Sequence, residues 1–321
     1  MRWRPERIQT HPTLFVLAIL AIAGCIEVPA SERETFSAAA VPDDRVDGMT
    51  AEETKEDSIV ACNPGSTLDL PPGTCAQRIL AVEGRIGVDR LPVQLVTNNG
   101  GFIVRAGEGD AWSLLATIVV RGPTEDMARD GLDTAWEWGH EAEGGHAVYA
   151  RPVPLAEGVP GLRALSTSVV SATYELTLPS WIVLDVQGLT TNGEALVDGF
   201  EMGEVDIETT NGEIALAGAA SDVRLATSNG EIVARLTPTA RGSWSFSTTN
   251  GEILLGVPEG RSYGYDVAAR TQNGDVEILL EDGQVVETED GATFRTDGYD
   301  DRALRTSVEL QTSNGEIVVG A

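Results

Sequence analysis

Histidine, cysteine and basic residues are all scarce in this chain. Of 321 residues three are His and three are Cys, and 22 Lys and Arg stand against 50 Asp and Glu, a formal net charge of −28. So little positive charge argues against nucleic acid or an anionic membrane surface as a partner, since both are held by Lys and Arg. Only His140 and His146 follow the N-terminal leader, in a Gly- and Glu-rich stretch that reads as an exposed loop. That is too few ligands for a zinc site. No G-x-S-x-G, P-loop or H-E-x-x-H motif occurs, so the common nucleophile, phosphate and metalloprotease signatures are missing. Carboxylates alone are abundant. They leave a glycosidase-like pair open on composition, whereas Glu281-Asp282-Gly283 and Asp297 to Asp301 read as solvated loops rather than calcium loops.

The first residues form an address. Arg2, Arg4 and Arg7 precede an apolar run from Leu14 to Ala23, which is too short for a comfortable membrane span. Ile22-Ala23-Gly24-Cys25 then resembles a bacterial lipobox, in which the Cys thiol is acylated and becomes the first mature residue. Residues 1–24 are therefore expected to be a lipoprotein signal peptide, with Cys25 as the lipidation site and the membrane as partner through a lipid anchor. Their removal takes away three Arg and one Glu, moving the formal charge from −28 to −30. Ile26, rather than Asp, follows the Cys and points to the outer membrane if the source is diderm. Residues 25–60, rich in Ala, Ser, Pro, Glu and Asp, are expected to form a disordered acidic tether. Cys62 and Cys75 are expected to pair as a disulfide in an oxidising compartment, contributing roughly 3 kcal/mol by loop entropy. They open a segment, 61–92, of looped chain and first strands.

What the chain does have is a repeat. Thr, any residue, Asn, Gly and an acid recur at Thr190 to Glu194, Thr209 to Glu213, Thr227 to Glu231, Thr248 to Glu252, Thr271 to Asp275 and Thr312 to Glu316. The Asn residues 192, 211, 229, 250, 273 and 314 are spaced by 19, 18, 21, 23 and 41, the last close to two periods. A period near twenty carried by strand-forming residues indicates a solenoid. Around each Asn the apolar residues alternate, as Val223 and Leu225 before Asn229 and Ile232 and Ala234 after it, which is the period of a strand with one buried face. Each coil is thus strand, Asn-Gly corner, strand. The fold is expected to be mainly all-β, a right-handed parallel β-solenoid, with its repeat array over 181–321.

The corner residues have assigned places in this reading. Thr190, Thr209, Thr227, Thr248, Thr271 and Thr312 share the parity of the buried residues, and their hydroxyls are placed to bond along the stack. Asn192, Asn211, Asn229, Asn250, Asn273 and Asn314 are expected to form one hydrogen-bonded ladder, since a buried unpaired amide costs roughly 1–3 kcal/mol. Asn314, last in sequence, is expected at the end of the ladder. The acids Glu194, Glu213, Glu231, Glu252, Asp275 and Glu316 have the opposite parity and form an outward column. No cofactor is required, and a solvated column is the first reading. A divalent cation such as calcium bridging neighbouring carboxylates is the sharper one.

A degenerate copy around Asn99, with Val93, Leu95 and Thr97 before it and Phe102 and Val104 after, starts the solenoid over 93–180. There it is interrupted by a strand at Ser113 to Val120 and a helix with Thr124 as N-cap, Ala128, Leu132, Ala135 and Trp136 on one face, and Gly131 as a weak point. Strands near Ala147 to Arg151 and Tyr174 to Leu178 lead back to the array. This strand-helix-strand insert is expected to cover one end or flank of the solenoid.

The lipobox, the insert and the T-x-N-G-[DE]-[IV] corners together resemble the adhesin-like family of bacterial β-strand-repeat proteins, whose molecular function is unknown. The resemblance covers about Gln77 to the C-terminus. It implies a β-solenoid displayed at the cell envelope and transfers no functional residue. The chain departs from the pattern between Gly283 and Arg302, where a corner is due and none occurs. Two classes of function follow. One is a non-catalytic envelope lipoprotein with a structural or surface-binding role, toward envelope polysaccharide or another surface protein. The other is a polysaccharide-acting lyase or hydrolase on a parallel β-helix, which would gather exposed aromatics, acids and Arg from several coils on one face.

Overall fold

The computed structural model of the chain describes residues 48–60, 74–142, 145–152 and 171–321. The expected signal peptide, Cys25 and Cys62 lie outside the described residues. Cys75 is disulfide-bonded. Among the described residues no helix is long and apolar enough to cross a membrane.

The array is β throughout. β9 (Val183–Asn192), β10 (Ala195–Asn211), β11 (Ile214–Asn229), β12 (Ile232–Pro238), β13 (Gly242–Asn250), β14 (Ile253–Gly256), β15 (Tyr263–Asn273), β16 (Val276–Ile278), β19 (Leu304–Asn314) and β20 (Ile317–Gly320) contain the six corners or start just after them. Strand segments before a corner pair in parallel with one another, and those after it do the same. The register holds each apolar residue against its counterpart, as Leu225 on Phe246 and Ile214 on Ile232. Alternation therefore buries one continuous core in which Trp244, Phe246, Ile207, Ile232, Ile253 and Leu310 are almost wholly excluded from water. Each such side chain contributes roughly 1.5–3 kcal/mol by its burial. The fold is a mostly parallel β-solenoid.

The coils do not stack in sequence order. β19 lies between β13 and β15, and β20 between β14 and β16. The coil of Asn314 is thus inserted between those of Asn250 and Asn273. This corrects the expectation that Asn314 ends the ladder: Asn273 does. The segment that lacks a corner is a hairpin of β17 (Gly283–Thr288) and β18 (Gly291–Thr296), in which β18 lies antiparallel on the free side of β15. The hairpin uses up the length of one coil and returns the chain to fill the gap left beside β13.

The upstream coil closes the other end. β3 (Arg90–Val96) and β4 (Phe102–Gly107) lie parallel on β9 and on the start of β10, and Asn99 bridges Asn192. β8 (Ser171–Pro179) pairs with β4 on one side and antiparallel with β5 (Ala111–Gly122) on the other. β5 pairs with β2 (Thr74–Arg85), and β2 with β1 (Glu52–Val60), both antiparallel. The expected tether is therefore corrected over Glu52–Val60. Its residues are almost all exposed, so it needs no apolar face. The β2 backbone ladder holds it, helped by Arg78, which donates to both carboxylate oxygens of Asp57 at 2.8 Å.

The insert packs on this end. α1 (Glu125–Thr134) is capped by Thr124, whose hydroxyl accepts from the Met127 amide, and it buries Ala128 and Leu132. Gly131 is no weak point: a Cβ there would come 2.6 Å from Cγ1 of Val120 on β5, so the missing side chain lets helix and strand approach. A hairpin of β6 (Trp136–Ala142) and β7 (Gly145–Pro152) follows, and β7 adds in parallel to β3. His140 and His146 lie in these strands, half-buried rather than in an exposed loop, with His140 stacked on Trp138. Trp136 donates to the Tyr174 hydroxyl, which donates to the Val96 carbonyl, and so fastens the insert to the upstream coil.

Candidate functional site

Three features of the corners and their outer faces have the geometry to act. The first is the corner column, which is a hydrogen-bonded unit. Each Asn side chain donates to the next Asn in the stack at 2.7–2.9 Å, from Asn192 to Asn99, Asn211 to Asn192, Asn229 to Asn211, Asn250 to Asn229, Asn314 to Asn250 and Asn273 to Asn314. The amides point one way, so each polarises the next. The array Asn residues are exposed, which corrects the argument from burial and makes each rung worth less. No corner Asn has a positive φ. Left-handed backbone tolerance is therefore not the reason for Asn at these positions.

The buried Thr column lies beside it. Thr190, Thr209, Thr227, Thr248, Thr312 and Thr271 donate to the carbonyls of Gly100, Gly193, Gly212, Gly230, Gly251 and Gly315 in the adjacent coil. The glycines are fixed by proximity. A Cβ on Gly212, Gly230 or Gly251 would stand 1.8–1.9 Å from the carbonyl oxygen of the preceding corner glycine.

The second feature is the acid column, in the stack order Glu194, Glu213, Glu231, Glu252, Glu316 and Asp275, linked by backbone bonds between successive coils. Partial burial, then the charges of Glu231 and Glu194, pushes the Glu213 carboxyl above its ordinary value. Glu231 is pushed up by burial and then by Glu252. Among the described residues no three His, Cys, Asp or Glu converge to hold a metal ion. The column is a line of charges, not a cage.

The third feature is a cleft of about 600 Å³ on the outer face of the strands that precede the corners. Its floor is built by β3, β9 and β10 through Gln94, Asp185, Gln187, Glu204 and Asp206, and its wall by Tyr149 and Arg151 on β7. Gln94 donates to Gln187 at 2.7 Å and accepts from Arg151 at 3.2 Å, and Arg151 also donates to Glu137 at 2.6 Å. The Arg151 guanidinium stands 5.3 Å from the Tyr149 ring centre. Burial raises the Asp185 pKa, but two hydrogen bonds from Arg90 and one from the Glu204 amide outweigh it, so the carboxyl lies below its ordinary value. Oδ1 of Asp206 is buried without a hydrogen-bond partner, while its other oxygen is 3.7 Å from Arg224. One face therefore gathers an aromatic ring, arginines, amides and acids from several coils. Among the described residues the cleft lining contains no His, Cys, Ser or Lys.

Reading the sequence for buried parity missed this cleft. The signal was present in the other half of the alternation: Gln94, Gln187, Asp206 and Arg224 all stand five residues before their corner Asn. The hairpin that walls the cleft has no such signal.

No curated protein matches the chain. Among solved structures, a candidate cell adhesion protein from Clostridium sporogenes is 12% identical with a TM-score of 0.43, over 84% of this chain and 99% of that one. A candidate adhesin from Bacteroides fragilis is 8% identical with a TM-score of 0.28, over 76% and 97%. Likenesses this distant carry no argument about what the chain binds. Residues 171–319, from the start of β8 into β20, match the model of the Toastrack DUF4097 family.

Proposed function

We propose that this is a non-catalytic lipoprotein of the cell envelope, anchored through Cys25, which binds envelope polysaccharide in the cleft beneath the β6–β7 hairpin. The observation that carries this reading is the composition of the cleft. Vicinal sugar hydroxyls are matched by side-chain amides and carboxylates, and the apolar face of a pyranose by an aromatic ring. Gln94, Gln187, Glu204 and Asp206 supply the first set, and Tyr149 the second. The acidity of the lining favours neutral or amino sugars over uronates. The acids, Arg151 and Tyr149 of the lining are also the groups a polysaccharide-acting enzyme would use, so the test separates recognition from turnover.

The test is titration of the mature protein with a panel of purified bacterial polysaccharides, alongside Tyr149→Ala and Gln187→Ala. The expected result is saturable binding, lost in both variants at unchanged thermal midpoint, with no new reducing ends or unsaturated products. Shortening of the polysaccharide would instead establish the enzyme reading. Binding equal in wild type and variants would remove the cleft from the function. Mass spectrometry of the mature N-terminus checks the anchor, and an unmodified Cys25 would refute it.

A further inference from the structure

Seven Asn-Gly dipeptides occur in this chain, at Asn99, Asn192, Asn211, Asn229, Asn250, Asn273 and Asn314. Asn-Gly is the sequence most open to spontaneous deamidation, because glycine places no side chain in the way of attack on the preceding amide. The backbone nitrogen of the Gly attacks Cγ of the Asn. A C–N bond forms, the Cγ–NH2 bond breaks, and ammonia leaves. Water then opens the cyclic imide at either carbonyl to give Asp or isoaspartate, so one water is consumed and one ammonia released. The attacking nitrogen must lose its proton and turn toward Cγ, and a hydrogen bond from that N–H opposes both.

The stack protects these nitrogens unequally. The amides of Gly100, Gly193, Gly212, Gly230, Gly251 and Gly315 each donate at 2.8–3.1 Å to the Asn carbonyl of the next coil, those of Asn192, Asn211, Asn229, Asn250, Asn314 and Asn273. Every bond runs in the same direction along the stack. The coil of Asn273 is last in that direction, so the amide of Gly274 has no coil to donate to and makes no hydrogen bond among the described residues. Gly274 is also exposed, whereas the other six corner glycines are partly buried. The Asn273 side chain donates to Asn314, but no Asn donates to it in turn.

We propose that Asn273 is the deamidation site of the folded protein, and that the stacking of the coils protects the other six corners. Conversion places a carboxylate two residues from Asp275 and removes the terminal rung of the ladder. In the isoaspartyl form it also lengthens the backbone where β15 meets β19. The non-sequential coil order matters here, since in sequence order Asn314 would be the open end.

The test is incubation of the mature protein at mildly alkaline pH, followed by acidic quench, proteolysis and tandem mass spectrometry. Tryptic cleavage isolates Asn273 in Thr271 to Arg295, Asn229 in Leu225 to Arg235, and Asn314 in Thr306 to Ala321. The expected result is acid at position 273 accumulating at least several times faster than at 229 or 314 in the folded protein. In urea-unfolded protein the three should convert at similar rates. Equal rates in the folded state, or faster conversion at Asn314 than at Asn273, would overturn the proposal. Asn273→Gln should fold normally and remove the fast phase without accelerating the other corners; a fast phase that persists would equally overturn it.

Discussion

At the residue scale the corner acids and amides trade charge against order. Glu213 and Glu231 have carboxyl pKa values above the ordinary 4.5, so the folded state holds protons that the unfolded chain releases. Stability from these groups is full below the unfolded value and lost as pH rises through the folded one. Glu213→Gln is therefore expected to raise the urea midpoint at neutral pH and to flatten its fall between about pH 4.5 and neutrality. Because Glu213 is half-exposed, the gain is discounted to a few tenths of a kcal/mol, at most about 1. The amides give a second expectation. Asn314 has ladder partners on both sides and Asn273 on one, so Asn314→Ala should cost as much as Asn229→Ala, and more than Asn273→Ala. With rungs exposed, about 0.5–1 kcal/mol for the interior positions is the scale, measurable by denaturant unfolding.

At the element scale, packing overrides propensity. Gly131→Ala would favour an isolated helix by about 1 kcal/mol. In α1 the added methyl meets Val120 at 2.6 Å, and the substitution is expected to destabilise by about 1–3 kcal/mol, seen as a lower thermal midpoint. The inserted coil gives a larger effect. β15 and β16 reach β13 and β14 only through β19 and β20. Truncation before Leu304 should therefore strip hydrogen-exchange protection from 263–296 while β9 and β10 keep theirs. Equal loss throughout would mean that the array unfolds only as one unit.

At the scale of the molecule, a formal charge of −28 works against compactness, and salt relieves it. The acid column adds local repulsion, and among the described residues no convergent metal site relieves it. Thermal midpoints in calcium and in sodium at equal ionic strength are accordingly expected to agree. A calcium-specific rise that disappears in a Glu213→Gln, Glu231→Gln double variant would mark bridging instead. Protection of the stack ends is likewise a property of the whole: β18 and β17 close one column, while β7 and β6 close the other end. Antiparallel hairpins thus cover edges that parallel coils would leave open.

By itself the sequence determined the coil. Alternation around each Asn fixed which residues face inward, and the constant offset of Thr, Asn and Gly fixed that like residues meet, because register between identical units is set by burying one face. It also placed α1 through its N-cap, and the missing corner between Gly283 and Arg302. Tertiary structure decided the order of the coils. Every coil presents the same corner and the same edges, so local pattern accepts any neighbour, and only the closing of the β17–β18 hairpin sends β19 into the gap beside β13. The strand at Glu52–Val60 was illegible for the converse reason: an edge strand held by backbone bonds needs no apolar face. The cleft, too, arises only when β7, distant in sequence, is laid beside β3, and the free amide of Gly274 exists only because that coil is the last in the stack.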